Sequence, residues 1–186
     1  MFYVTTPNVT FKTRVQTDEA PGFAWKDMLT SEMFGSRRVV LVALPGAFTP
    51  TCSSTHLPGY EASYNDIREL DIDEVYCISV NDSFVMNSWL KSLSIENVKP
   101  VPDGAGEFTR KMGFLVDKSN TGFGYRSWRY SMVIDNGIVE QMFIEPGFDD
   151  NVDGDPFQIS DAETMVKYLS DVREARAKAQ ESTESS

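Results

Sequence analysis

The sequence predicts an α/β domain in which a central, mixed β-sheet is flanked by helices. Two apolar runs, at residues 39–44 and 74–80, have the composition of strands that are buried on both faces. A helix signal follows each run, and this alternation is typical of parallel strands connected by helices. Further along, Asn136-Gly137 separates two strand-like segments and predicts a hairpin, which supplies the antiparallel part of the sheet.

The first half of the chain contains the strand on which the rest is organised. Before it, the alternation of apolar and polar residues at 9–15 predicts a half-exposed strand. The segment 25–34 has a mixed composition, within which residues 30–32 predict a short helical turn. The strand at 39–44 is followed by a loop and a helix, and we expect Pro58-Gly59 to interrupt or kink this helix.

The second half continues the alternation of strands and helices. Residues 81–83 predict the cap of a helix that follows the strand at 74–80. A short strand at 98–101 comes next, and a short helix is expected to end near Met112. The glycine- and asparagine-containing segment 113–125 predicts a loop.

The end of the chain predicts a hairpin and a closing helix. The hairpin pairs residues 128–134 with residues 138–144, and residues 145–158 form an acidic loop. Residues 160–163 have the spacing of a capping box that opens the last helix. Beyond about residue 176 the chain becomes polar and is expected to fray.

The order of these elements is the thioredoxin-like arrangement, and we expect residues 1–186 to form one domain. Apolar residues make up 41% and charged residues 24% of the chain, as in an ordinary soluble protein. The net charge of −11 argues against a nucleic-acid or an anionic membrane partner. The N-terminus lacks the features of a signal peptide and the chain has only two cysteines, so a cytoplasmic location is expected.

Cys52 is the residue around which we expect the function to be built. It follows the strand at 39–44 and stands at or near the first turn of the next helix. The N–H groups and the dipole at a helix N-terminus favour an anion, so a thiol there tends towards the nucleophilic thiolate. The protein is therefore interpreted as an enzyme that uses Cys52.

The stretch 45–52 contains the pattern P-x-x-x-T-x-x-C. This pattern, with the longer string at 45–58, resembles the peroxiredoxins and in particular their type II, or peroxiredoxin 5, subfamily. Similar strings at 79–82, 128–132 and 145–146 extend the resemblance over nearly the whole chain. The resemblance implies a peroxidase that reduces hydrogen peroxide and organic hydroperoxides with a thiol, without a metal or an organic cofactor.

The resemblance and the chemistry together give four residues a role. Cys52 attacks one peroxide oxygen and becomes a sulfenic acid. The hydroxyl of Thr49 can hold the peroxide in line, and Pro45, which lacks an N–H, suits a dry wall of the site. The resemblance assigns to Arg129 the cation that favours the thiolate and polarises the peroxide, with Arg126 as the competitor.

Strand parity supports the assignment of Arg129. Along the predicted strand at 128–134, Arg129, Ser131 and Val133 share one face, and the intervening residues share the other. Arg126 lies outside this strand, and the more usual role of such an arginine is to supply charge at the surface or at the mouth of a substrate site.

Two further residues have competing interpretations. Cys77 lies in the strand at 74–80, where a cysteine is more often a small buried apolar residue than a nucleophile. His56 follows Cys52 by four residues and could face the same side of the helix, which would fit a Cys–His hydrolase. The resemblance instead favours a structural polar contact for His56.

The acidic loop begins like a calcium-binding loop but does not continue as one. Residues 149–154 match the first half of the calcium pattern, D-x-N-x-D-G. Ser160 occupies the twelfth position, where a bidentate glutamate is needed, and no amphipathic helix precedes the loop. The sequence therefore predicts a solvated acidic loop and no metal site.

The positions of the cysteines favour a one-cysteine reaction cycle. Some type II peroxiredoxins reduce the sulfenic acid with a second cysteine in the loop after Glu145 and Pro146, and this chain has none there. Cys77, in a central strand, would need local unfolding to reach Cys52. We therefore expect an external thiol to reduce Cys52, with glutathione and glutaredoxin favoured and thioredoxin as the alternative.

The resemblance also implies a homodimer that pairs through loops near the active site. Phe48, Phe84 and the segment 123–128 offer apolar surface for such a contact. A peroxide sensor that passes its oxidation to a partner is an alternative function. A chaperone-like scaffold on the same fold is a further alternative, which consumption of peroxide with a thiol would exclude.

Overall fold

The structure is a computed structural model and describes residues 4–18 and 22–184. The strands are β1 (Thr10–Gln16), β2 (Phe23–Leu29), β3 (Arg38–Ala43), β4 (Glu74–Ser79), β5 (Lys99–Pro102), β6 (Leu115–Asp117), β7 (Tyr125–Ser127), β8 (Tyr130–Asp135) and β9 (Ile138–Ile144). The helices are α1 (Thr30–Phe34), α2 (Leu57–Ala62), α3 (Tyr64–Glu69), α4 (Ser83–Ser92), α5 (Glu107–Lys111) and α6 (Ala162–Glu184). There are also a π-helical turn at Cys52–His56 and a 3₁₀ turn at Ser119–Thr121.

Five strands form the central sheet in the order β5-β4-β3-β8-β9. Strand β4 pairs parallel with both β3 and β5, because a helical connection precedes and follows it. Strand β8 pairs antiparallel with β3 and with β9, and the β8–β9 turn contains Asn136 and Gly137, both with positive φ. The predicted mixed sheet and its hairpin are therefore confirmed.

The sheet separates two apolar layers of the core. Val40 and Val42 of β3 face the layer that contains residues of α2, α4 and α6. Val39 and Leu41 face the opposite layer, which contains residues of β1, α1 and α5. This period of two is expected of a strand that is covered on both faces. The result is the three-layer, thioredoxin-like fold that the order of elements predicts.

The helix that carries Cys52 continues through Pro58 and Gly59 to the end of α2, so of the predicted interruption or kink the interruption is wrong. The irregularity lies earlier, in the π-helical turn, where the N–H of Leu57 donates to the carbonyl of Cys52, five residues back. A π turn is wider than an α turn and displaces the carbonyl that a proline ring would otherwise meet. Pro58 therefore fits at the start of α2.

Two short sheets lie outside the central one. Strands β1 and β2 pair antiparallel, and β2 was not predicted because its residues do not alternate in polarity and are mostly exposed. Strands β6 and β7 also pair antiparallel. The expectation of a loop over residues 113–125 is therefore wrong in part, since three-residue strands are too short to show a period.

Helix α6 begins and ends differently from its prediction. The carboxylate of Asp161 accepts from the N–H of Thr164 at 2.9 Å, so the capping residue is one position later than predicted. Ser160 instead donates its hydroxyl to Glu145 at 2.7 Å. The helix continues to Glu184, past the expected point of fraying, because its last turns are rich in helix-favouring residues. In the described part of the chain, no helix combines the length and apolarity needed to cross a bilayer.

Candidate active site

Cys52 lies in the first turn of its helix, after the loop that leaves the carboxyl end of β3. Its side chain is a free thiol, is fully buried, and belongs to the apolar layer that also contains Leu44 and Leu57. The next residue, Ser53, accepts a hydrogen bond from Trp89 Nε1 of α4 at 3.0 Å. The packing of α4 thus fixes the turn that presents the thiol.

The loop before Cys52 contains the two other residues of the sequence motif. Pro45 is buried where the chain leaves β3. The hydroxyl of Thr49, which is half-buried, donates to the carbonyl of Gly46 at 2.7 Å. Because a hydroxyl has one donor and two acceptor sites, the Thr49 oxygen can still accept a hydrogen bond from a ligand.

The same loop is held in a strained conformation. Phe48 has a φ of 62°, which costs about 1–3 kcal/mol in a residue other than glycine. The neighbouring N–H of Ala47 donates to Asn81 Oδ1 at 3.0 Å, and this oxygen also accepts from the Ser79 hydroxyl at 2.7 Å. These bonds attach the loop to the end of β4 and help to hold the strained turn.

Arg129 is the cation that lies against the thiol. Its side chain is 1% exposed, and its Nη1 donates to Cys52 Sγ at 3.5 Å and to His56 Nδ1 at 3.0 Å. Its Nη2 donates to both carboxylate oxygens of Asp155, the longer contact being 2.6 Å. Burial lowers the pKa of Arg129, but the negative charges of Cys52 and Asp155 outweigh burial and raise it.

His56 is a neutral acceptor in this site. Its Nε2 lies 3.0 Å from the carbonyl of Ser160 and must carry the proton, so Nδ1 accepts from Arg129. Burial, together with the charge of Arg129, lowers the pKa of His56 to about 3. Both ring nitrogens are engaged away from Cys52. This geometry supports the predicted polar contact and does not fit the hydrolase alternative.

The acidic loop is part of the site and not only a solvated segment, which corrects the prediction. Asp155 is 37% exposed and pairs with the buried guanidinium of Arg129. The ring centroid of Phe157 lies 4.8 Å from the ring centroid of His56. The same centroid of Phe157 lies 5.6 Å from Cζ of Arg129. Sequence reasoning missed these two residues because their partners are distant in the chain.

Glu145 anchors the acidic loop. Its buried carboxylate accepts from the backbone N–H groups of Gln158, Ile159 and Ser160 at 2.8–3.0 Å, and also from the Ser160 hydroxyl. Burial raises the pKa of Glu145, but these hydrogen bonds outweigh it and lower the pKa below its ordinary value. The carboxylate therefore holds the Ser160 carbonyl in position for His56.

The segment 149–154 is bound to the end of β6 and to the 3₁₀ turn that follows it. Asp150 Oδ1 accepts from the N–H of Asp117 at 2.7 Å, and Asn151 Oδ1 accepts from the N–H of Asn120 at 2.9 Å. Within the residues that the structure describes, no cluster of three histidine, cysteine, aspartate or glutamate side chains could hold a metal ion.

Arg126 and Cys77 occupy different surroundings from Arg129 and Cys52. Arg126 donates to the carbonyls of Phe123 at 3.0 Å and Val80 at 3.4 Å, so its hydrogen bonds go to backbone groups. Cys77 is fully buried in β4, and burial raises the pKa of its thiol.

Comparison with known proteins identifies the family of this chain. The Redoxin family model matches residues 18–165. A peroxiredoxin of Synechocystis sp. is 56% identical over 166 residues, which cover 88% of this chain and 88% of the relative. The crystal structure of the Plasmodium falciparum antioxidant protein, a 1-Cys peroxiredoxin, has a TM-score of 0.85 and 37% identity, and covers 90% of this chain and 98% of that one. Reduced Prx3 of Vibrio vulnificus, in complex with hydrogen peroxide, has a TM-score of 0.76 and 35% identity, with coverages of 90% and 94%.

A thioredoxin-like fold in which a buried thiol at the start of a helix contacts a buried arginine defines a class of redox proteins. Within this class, the chain belongs to the peroxiredoxin family. It is therefore a thiol-dependent peroxidase, an oxidoreductase that acts on peroxide and uses thiols as reductants without a prosthetic cofactor. The family predicted from the sequence is confirmed, and the similarities are consistent with the type II subfamily.

Proposed function

We propose that Cys52 is the thiolate that attacks hydrogen peroxide and organic hydroperoxides. The observation that carries the proposal is the contact of 3.5 Å between Arg129 Nη1 and Cys52 Sγ, in a site where neither side chain is more than 1% exposed. A cation stabilises a nearby anion more strongly where water is excluded, because the local dielectric constant is low. The related Vibrio vulnificus structure with hydrogen peroxide supports the choice of substrate.

In the first half-reaction, the Cys52 thiolate attacks one peroxide oxygen in line with the O–O bond. The S–O bond forms and the O–O bond breaks, and the leaving oxygen takes a proton and departs as water or as an alcohol. The Thr49 hydroxyl accepts a hydrogen bond from the peroxide and orients it. Arg129 stabilises the charge that develops on the leaving oxygen, and Pro45 forms a wall without a competing donor.

In the second half-reaction, an external thiol reduces the sulfenic acid, and we favour glutathione. Cys77 is a poor internal reductant, because it is fully buried and burial raises the pKa of its thiol. A glutathione thiolate attacks the sulfur of Cys52, so that a mixed disulfide forms and water leaves. Glutaredoxin or a second glutathione then releases the mixed disulfide, and thioredoxin is the alternative reductant.

Both substrates reach Cys52 only when the structure around it opens, since the side chain is fully buried. The π-helical turn at Cys52–His56 and the strained Phe48 flank the thiol on either side in the chain. Irregular turns of this kind are common at functional sites, where they lower the cost of local movement. We expect this segment to move during turnover.

The proposal includes a homodimer and a cytoplasmic location. Phe48, Phe84 and Tyr125 are 58%, 56% and 64% exposed and supply the apolar surface for the dimer. Trp128, at the end of the segment 123–128 that was predicted to supply apolar surface, is 1% exposed and belongs to the core instead. Light scattering at micromolar concentrations tests the dimer, and a monomer would contradict it.

The two free cysteines fit a reducing compartment, and cell fractionation tests the cytoplasmic location.

Steady-state consumption of hydrogen peroxide tests the function. The rate of the wild-type protein is measured with three reductants in parallel: glutathione, glutathione with glutaredoxin, and thioredoxin. Cys52→Ser is assayed under the same conditions. Turnover in the wild type and none in Cys52→Ser is expected, because an alcohol is not ionised at neutral pH. Substantial activity in Cys52→Ser would contradict the assignment, and turnover with thioredoxin alone would contradict the favoured reductant.

A further inference from the structure

A second arginine, Arg126 of β7, packs its side chain against the loop that carries Thr49. Its Nη1 is 3.0 Å from the position that a Cβ atom of Gly46 would occupy, and Cγ2 of Thr49 is 3.3 Å from the same position. Because Gly46 has no side chain, the guanidinium of Arg126 rests directly against the backbone of this loop. The side chain of Arg126 is half-buried, so part of it remains accessible to a ligand.

The guanidinium of Arg126 retains free donors. Its hydrogen bonds are to the carbonyls of Phe123 and Val80, and a guanidinium has five N–H donors in all. Among the ion pairs of residues 4–18 and 22–184, none involves Arg126. Arg129, in contrast, forms an ion pair with Asp155. Arg126 is therefore a partly exposed cation without a carboxylate partner in the described residues.

The electrostatic surroundings of Arg126 favour an anion. Burial lowers the pKa of Arg126, and the negative charge of Cys52 partly opposes this. The chain as a whole has a net charge of −11 and repels anions. A cation at the rim of the site offsets this repulsion locally and favours an anionic substrate.

We propose that Arg126 binds the carboxylate of the thiol that reduces Cys52. This inference rests on the proposed function, in which an external thiol attacks the sulfenic acid. The thiolate sulfur of that reductant attacks the sulfur of Cys52, an S–S bond forms, the S–O bond breaks, and the leaving hydroxide takes one proton and departs as water. Arg126 holds the carboxylate through charge-assisted hydrogen bonds, for which a planar guanidinium is well suited. The class of reductant is therefore a small thiol with a carboxylate, of which glutathione is one.

Three small thiols that differ in charge test this inference. The full-length protein is oxidised with one equivalent of hydrogen peroxide and mixed with 3-mercaptopropionate, 2-mercaptoethanol or cysteamine, which are anionic, neutral and cationic. Formation of the mixed disulfide is followed by rapid quenching and intact mass. In Arg126→Gln, the rate with 3-mercaptopropionate is expected to fall about three- to tenfold relative to the rate with 2-mercaptoethanol. The rate with cysteamine should not fall. Each thiol is compared with itself in the wild type, so differences in intrinsic reactivity cancel.

Two further variants serve as controls. Arg126→Lys keeps the charge and loses the planar fork, so it should retain part of the preference for the anionic thiol. Arg173→Gln removes the same charge from α6, where Arg173 also donates to a backbone carbonyl, that of Glu69 at 2.8 Å. It should change none of the three rates. Added salt should lower the rate of mixed-disulfide formation with 3-mercaptopropionate in the wild type and not in Arg126→Gln.

Equal slowing of all three thiols in Arg126→Gln would overturn the proposal, because Arg126 would then only hold the loop. An unchanged rate with 3-mercaptopropionate would overturn it as well. A failure of the proposed function would give different products. The wild-type protein would then form no sulfenic acid on Cys52, or it would form a Cys52–Cys77 disulfide in place of a mixed disulfide with any of the thiols.

Discussion

Arg129 Nη1 lies 3.5 Å from Cys52 Sγ, although 77 positions separate the two residues in the chain. Two further acceptors orient the same guanidinium, namely the neutral ring of His56 and the carboxylate of Asp155. Because His56 is uncharged, it orients Arg129 without adding a second positive charge to a buried site. The site is therefore a buried thiol–guanidinium pair with a fixed geometry.

Replacement of Arg129 by alanine is expected to slow the reaction of Cys52 with hydrogen peroxide by about 100-fold or more, as for the loss of other transition-state donors. Stopped-flow measurement of the peroxide reaction tests this effect. Arg129→Lys should give intermediate values, which separates loss of charge from loss of the fold. Unchanged rates in Arg129→Ala would transfer the role to another cation, with Arg126 first.

Replacement of Asp155 by asparagine should affect two reactions of Cys52 differently. The peroxide reaction is expected to slow about three- to tenfold, because Arg129 loses an acceptor that orients it. Alkylation of Cys52 at low pH should not slow, since a negative charge near the thiolate has been removed. Asp153→Asn is the matched control, because Asp153 is exposed in the same loop and the change in charge is identical. Parallel slowing of both reactions would contradict a positioning role for Asp155.

The fold and half of the site follow from local sequence patterns. The buried run of β3, the β8–β9 turn at Asn136 and Gly137, and the alternation around Arg129 each depend on neighbouring residues, so they could be predicted. The position of Cys52 at a helix start depends on the same local signals. The pairing of Arg129 with Cys52 needed the family resemblance in addition.

The other half of the site depends on contacts between distant residues. Asp155 and Phe157 are placed by the loop that Glu145 holds, and nothing in their local sequence indicates a partner. For the same reason the loop was interpreted as solvated. The predicted capping box is wrong because the Ser160 hydroxyl donates to Glu145, and the carboxylate of Asp161 accepts from the N–H of Thr164 instead.

The stability of the protein should depend on pH through His56, the only histidine of the chain. Burial and Arg129 lower its pKa in the folded state to about 3, whereas an unfolded histidine titrates near 6.5. Below about pH 6.5 the unfolded state binds a proton that the folded state does not, so the free energy of unfolding falls as the pH falls. Between about pH 7.5 and about pH 5 the loss from this group should be about 2 kcal/mol.

Urea denaturation of wild type and His56→Gln at both pH values, at equal protein concentration, measures this dependence. His56→Gln should lose about 2 kcal/mol less than the wild type over the interval, whatever its stability at the higher pH. Carboxylates contribute equally to both proteins and cancel in the comparison. The same pH dependence in both proteins would show that His56 is not the buried neutral group described above.

Cys77 should be dispensable for turnover. Replacement of this buried residue by alanine removes the only other thiol, and the rate of peroxide reduction with glutathione is expected to stay within about twofold of the wild type. Peroxide-treated protein should carry glutathione on Cys52 in both forms. Loss of turnover in Cys77→Ala, with a quantitative Cys52–Cys77 disulfide in the wild type, would contradict the one-cysteine cycle.

The most direct test of the assignment of Cys52 is to locate the sulfenic acid itself. Wild-type protein is treated with one equivalent of hydrogen peroxide in the presence of dimedone, which traps sulfenic acids, and is then digested with trypsin. The two cysteines fall on separate tryptic peptides, 39–68 for Cys52 and 69–91 for Cys77. The dimedone adduct is expected on peptide 39–68, at Cys52, and not on peptide 69–91. An adduct on peptide 69–91, with Cys52 unmodified, would contradict the account.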